Sequence, residues 1–126
     1  MSHRVKLSLA MRDKANLKRA CRALHIDFQE GPHTVHLYDG DVPGEFSIQL
    51  PNWRFRTVID LKSGEANFDN YNGHWGKVEE LHRFAQEYSL QVAENEDSVQ
   101  DLLMNGWTAA RIRQPNGQID LVIEKE

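Results

Sequence analysis

The chain has 126 residues, 40% hydrophobic and 27% charged, with a formal net charge of -4 at pH 7. That length suits one domain around a single core, that balance excludes a disordered or fibrous protein, and no apolar run approaches the roughly 20 residues that span a bilayer. A lone cysteine, Cys21, excludes an intramolecular disulfide and suits a reducing compartment.

The start, Met1-Ser2-His3-Arg4-Val5-Lys6, lacks the apolar core of a secretory signal, so the expected location is cytoplasmic, or stromal if the chain is plastid-encoded. Val5, Leu7 and Leu9 alternate with Arg4, Lys6 and Ser8, the period of a half-buried strand. Asp13 then offers an N-cap oxygen to a helix carrying Leu17, Ala20, Cys21 and Leu24 as an apolar stripe. Lys14, Lys18 and Arg22 recur at i, i+4 and i+8 as a basic ridge on another face.

From Gly31 to Phe68 the pattern is that of short strands and turns. His33 to Tyr38 ends at the turn signal Asp39-Gly40-Asp41, Phe46 to Leu50 is broken by Pro51-Asn52, and Arg56 to Leu61 turns at Lys62-Ser63-Gly64-Glu65 into Ala66-Asn67-Phe68. The expectation is a meander of three to five antiparallel strands. The loop Asn70-Tyr71-Asn72-Gly73-His74-Trp75-Gly76 then precedes a second helix from near Lys77, with Val78, Leu81, Phe84, Ala85 and Tyr88 inward and Glu79, Glu80 and Glu87 wet. After the acidic break Glu94 to Ser98, a short third helix carries Val99, Leu102 and Leu103, capped by Asp97 or Ser98 and stopped at Gly106. Thr108, Ala110 and Ile112 alternate into Pro115-Asn116-Gly117, and Ile119, Leu121 and Ile123 alternate back. Asn-Gly predicts a type I′ hairpin. The order β-α, β-meander, α-α, β-β predicts one α+β domain over residues 1–126: an antiparallel sheet, meander plus C-terminal hairpin, with two to three helices packed on one face.

Several segments stand together in a recognisable order. They are Met1-Ser2-His3, the strand running into Asp13, the Leu17, Ala20, Leu24 helix and Asn72-Gly73-His74-Trp75-Gly76 before a helix ending near Tyr88-Ser89-Leu90. A Gly106-Trp107 corner and the closing run Gly117 to Ile123 complete the set. The chain thereby resembles the hypothetical chloroplast reading frame thirty-five family of small plastid, cyanobacterial and bacterial proteins. The resemblance implies a single α+β domain without an established activity, sometimes encoded near an AAA-type ATPase. His74 stands where that family usually has a second aromatic, and Glu94 to Gln100 reads as an insertion.

For chemistry, the segment Trp53-Arg54-Phe55-Arg56 interleaves aromatics with guanidinium groups, a pattern that stacks bases and contacts phosphates. Lys18 on the ridge and Tyr71, His74 and Trp75 in the loop extend such a surface. The same residues also fit a strand whose Trp53 and Phe55 enter the core, with Trp75 and Trp107 as inward anchors. The acidic chain lacks the pI of a dedicated nucleic-acid binder. His33 and His36 point to opposite faces of a strand, and no Cys joins His74 to His82, so neither metal nor cofactor is expected. No G-x-S-x-G, P-loop or G-x-G-x-x-G is present, and Cys21 lies on the apolar stripe, which argues against catalysis.

The expected function is that of a small non-enzymatic adaptor or regulatory protein binding a protein partner through Trp53, Arg54, Arg56, Tyr71, His74 and Trp75. The alternative is a nucleotide or single-stranded nucleic acid stacked on Trp53 and Tyr71 with phosphates on Arg54, Arg56 and Lys18. No membrane partner is expected. Through Ile26 the chain has seven Lys or Arg and one acid, and thereafter eight basic and eighteen acidic residues. That split suits a homo-oligomer pairing a basic N-terminal face with an acidic C-terminal one.

Overall fold

The protein is described here by a computed structural model covering residues 4–125; Met1-Ser2-His3, which open the family resemblance, lie outside the described residues. The chain runs β1 (Arg4–Ser8), α1 (Lys14–Leu24), β2 (Asp27–Leu37), β3 (Gly40–Gln49), β4 (Thr57–Ile59), β5 (Glu65–Asp69), α2 (Val78–Glu94), α3 (Asp97–Met104), β6 (Trp107–Arg113) and β7 (Ile119–Lys125). Strands β2 to β5 are an antiparallel meander, and β1 pairs antiparallel with β5, so the sheet order is β1-β5-β4-β3-β2. β6 and β7 form a separate antiparallel hairpin. The fold is α+β.

Helix α1 starts where Asp13 accepts hydrogen bonds from the backbone N–H and the side-chain amide of Asn16, at 3.3 and 2.9 Å. It ends in a Schellman motif: His25, at φ +56°, donates to Arg22 O, and Ile26 donates to Cys21 O at 2.8 Å. Its stripe of Leu17, Ala20 and Cys21 is fully buried against Leu81, Phe84 and Tyr88 of α2 and Phe46, Ile48, Ile59 and Phe68 of the sheet. Phe46, Phe68 and Phe84 each contribute roughly 2–3 kcal/mol by leaving water. Tyr88 also binds the entry to α1, its hydroxyl accepting from Asp13 N–H at 3.0 Å.

The strands run longer than the alternation predicts, because β2 and β3 carry register irregularities around Gly31, Pro32 and Glu45. Beyond that bulge Val35, Leu37 and Val42 gather with Val58 and Phe55 in a second, small apolar cluster. Val58 sits between Thr57 and Ile59 on β4, so strand alternation puts this cluster on the face away from the helices.

Three local expectations change. α3 is preceded by Glu96 as its cap, with no side-chain cap bond, and Asp97 lies inside the first turn. Glu87 is 9% exposed rather than wet, held by Arg111 of the hairpin. The hairpin turn has only Gly117 at positive φ, +88°, and not Asn116, so it is not type I′. Gly117 N–H donates to Gln114 O and Gln114 N–H to Gln118 O, a three-residue loop with Pro115 and Asn116 central and Gly117 left-handed.

Candidate functional site

The loop between β5 and α2 is built by backbone strain. Tyr71, Asn72 and Gly73 take consecutive left-handed φ values of +47°, +52° and +95°. A non-glycine residue there costs of order 1–3 kcal/mol, and such residues gather at functional segments. The turn is held by Tyr71 N–H donating to Asp69 Oδ1 at 3.1 Å, Trp75 N–H to Asn70 O at 2.9 Å, and Asn70 Nδ2 to Gly76 O at 3.1 Å. Arg54 N–H donates to Trp75 O at 2.8 Å, which fastens the segment before β4 to the same loop. Asp69 Oδ2, on a carboxylate only 1% exposed, has no hydrogen-bond partner among the described residues.

These constraints gather rings around Trp75. Tyr71 stacks on it at 4.9 Å between centroids and 25° between planes, Phe55 meets it edge-on at 5.4 Å, and Tyr38 tilts against it at 5.0 Å. His74 lies 4.8 Å from the Tyr71 ring. The Arg54 guanidinium stands 5.0 Å from the Trp75 centroid and 5.5 Å from that of Phe55, within cation–π range. Tyr38 is 57% exposed, the most of any aromatic in the cluster, and Tyr71 and His74 are also exposed.

Four of the seven sequence-selected residues therefore meet: Arg54, Tyr71, His74 and Trp75. Three do not. Trp53 is 5% exposed, edge-on to Phe68 at 5.3 Å, and donates from Nε1 to Lys77 O at 3.2 Å, so its indole cannot stack on a ligand. Gly76 exists to admit it: a Cβ there would lie 2.5 Å from the indole Cγ. Arg56 turns away to Asp27 at 2.8 Å and to the hydroxyl and carbonyl of Ser47 at 3.0 and 3.2 Å. Lys18 is spent on Glu30 at 3.0 Å, beside Lys14 at 3.7 Å, and that contact holds the Glu30 carboxyl below its ordinary range. The basic ridge is thus partly neutralised from β2 by Glu30, while Lys14 stays exposed and the third member, Arg22, also exposed, lies over the Phe28 ring.

Sequence reasoning missed Tyr38 and Phe55 as members of the cluster. Tyr38 immediately precedes a strong turn signal, a place where an exposed tyrosine has no core to fill, and that was its only local mark. Ser47 was also missed. Its hydroxyl, fully buried, meets His33 Nε2 at 2.8 Å, and His33 Nδ1 meets Gly31 O at 2.6 Å. A carbonyl only accepts, so Nδ1 carries a proton; in the neutral ring Nε2 then accepts from Ser47, and Ser47 accepts from Arg56. Complete burial of Ser47 makes this set of bonds a tie between β2, β3 and the entry to β4 rather than an exposed nucleophile.

No family model, curated protein or solved structure matches the chain. Among the described residues no helix is long and apolar enough to cross a membrane.

Proposed function

We propose that the protein is a small non-enzymatic adaptor or regulatory protein that binds a protein partner through Tyr38, Arg54, Phe55, Tyr71, His74 and Trp75. The observation that carries this reading is the exposed aromatic cluster with an arginine over it, assembled by a strained loop. Tyr, Trp and Arg dominate interface energetics: Tyr and Trp bury large area with few rotatable bonds and one polar handle each, and Arg adds a planar, many-donor guanidinium that stacks on rings. The membership suggested by the family resemblance fits such a role and adds no chemistry to it.

The nucleotide alternative draws less support. Of its stacking pair only Tyr71 is exposed, and of its phosphate contacts only Arg54 stands at the cluster. The two readings separate in one experiment. Tagged wild-type protein, a Tyr38→Ala/Tyr71→Ala variant and a Lys18→Ala control are used to capture interactors from the source organism, and each eluate is checked for protein and for 260-nm absorbance. The adaptor reading expects a protein retained by wild type and by the control but lost with the tyrosines. Loss of a 260-nm-absorbing species instead would favour the alternative, and an identical set on all three baits would sink the site.

A further inference from the structure

A second site lies away from the aromatic cluster, where the β6–β7 hairpin docks on α2. The hairpin register places Arg111 and Arg113 on the same strand face as Ile119 and Leu121 of β7, since Arg111 pairs with Leu121 and Arg113 with Ile119. That face meets α2: Arg111 donates to both oxygens of Glu87 at 2.9 Å and to Glu94 at 2.9 Å, and Gln86 Nε2 reaches Gly117 O at 3.4 Å. Docking leaves a cleft of about 320 Å³ with Leu24, Leu90 and Ile119 as apolar walls. That size is at the small end of ligand sites.

The charge in this cleft is unbalanced. Glu87 is its one carboxylate, and it is saturated by the Arg111 fork and by Gln91 Nε2 at 2.9 Å. Arg83 and Arg113 also line it. Arg83 has only Glu80 at 3.9 Å, a long pair between exposed groups, and Arg113 has no ion pair or side-chain hydrogen bond among the described residues. Two guanidinium groups beside an apolar wall attract an anion more strongly than they would in open solvent, and their planar forks match carboxylate and phosphate oxygens. From this juxtaposition we infer that the cleft binds a small amphipathic anion, its phosphate or carboxylate head on Arg83 and Arg113 and its short apolar part against Leu24, Leu90 and Ile119. Arg111 keeps a different task, holding the hairpin in place.

The test is titration of the full chain, by calorimetry and by 15N and methyl NMR, with hexyl phosphate, hexanoate, inorganic phosphate and hexanol. Expected is saturable binding of at least one six-carbon anion, at least tenfold tighter than inorganic phosphate or hexanol, with shifts at Ile119 and Leu90 methyls. The tighter of the two anions names the head group. Arg83→Gln and Arg113→Gln should each weaken binding at least tenfold, and both side chains are exposed, so the fold should be retained in each. Arg113→Lys should recover only part of the loss, and Lys18→Ala, outside the cleft, should change nothing. Failure of both anions to saturate, binding equal for hexanol or inorganic phosphate, or affinity indifferent to Arg83 and Arg113 would each overturn the assignment.

Discussion

Trp53 is held by a fit that tolerates no added atom, and Gly76 is where that fit can be probed. Adding one methyl at Gly76 forces either the indole or the loop to move, and overpacking of this kind costs about 1–3 kcal/mol. Chemical denaturation of Gly76→Ala should show that loss, together with a weakened near-ultraviolet signal; a change under about 0.5 kcal/mol would mean the indole has room. His25 makes the opposite prediction. It closes α1 from a left-handed conformation that glycine adopts without steric cost, and it is exposed. His25→Gly should therefore stabilise the protein by about 0.5–1 kcal/mol, the strain relieved exceeding the extra chain entropy of glycine. Destabilisation by that variant would show that the histidine side chain makes a contact worth more than its backbone strain.

The hairpin is joined to α2 chiefly through Arg111, whose guanidinium is pushed further above its ordinary range by its bonds to Glu94 and Glu87. Arg111→Met would leave Glu87 nearly buried with only Gln91 as partner, at a cost of about 1–3 kcal/mol. The loss should be local first: amide exchange across β6 and β7 should quicken while the five-stranded sheet stays protected. Adding Glu87→Leu should restore much of the stability, because the stranded charge is then gone; failure to restore it would mean that the arginine's own packing dominates. This element also shows where the sequence was legible and where it was not. Both strands and the Asn116-Gly117 reversal stand out in the alternation. Their register does not, because a two-residue turn would pair Ile112 with Leu121, whereas the three-residue loop pairs Ile112 with Asp120 and exchanges the face it shares. Ile112 ends 45% exposed as a result, and Glu87 becomes buried by a strand distant in sequence. The candidate surface divides in the same way. The loop from Asn70 to Gly76 declares itself by composition, while Tyr38 joins it only through the path of the β2–β3 hairpin, which no local pattern reports.

Across the whole molecule the split between a basic start and an acidic remainder is partly resolved within the fold, by Arg4 with Asp39 at 2.8 Å and by Lys14 and Lys18 with Glu30. These are exposed or half-exposed pairs of small individual worth, so the alkaline limb of stability should be set by a different group. Burial, reinforced by the charge of Asp27, pushes the Cys21 thiol up from 9.0 to about 12. Between those values the unfolded chain loses a proton that the folded protein keeps, so stability falls as pH rises through that window and is unaffected below it. On the acid side the sign reverses. The Glu30 carboxyl is lowered by Lys18, and that of Asp60 by the backbone N–H groups of Lys62 and Ser63, so what they contribute is present above their ordinary values and lost as pH falls below about 4. Cys21→Ala, although weakened throughout by the small cavity it leaves, should decline less steeply from pH 9 to 11 than wild type in denaturant titrations at each pH. The same buried thiol should resist thiol-specific reagents until the protein unfolds. Parallel alkaline slopes for the two proteins, or rapid labelling of the folded chain, would mean that the α1–sheet core opens far more readily than its complete burial of Cys21 implies.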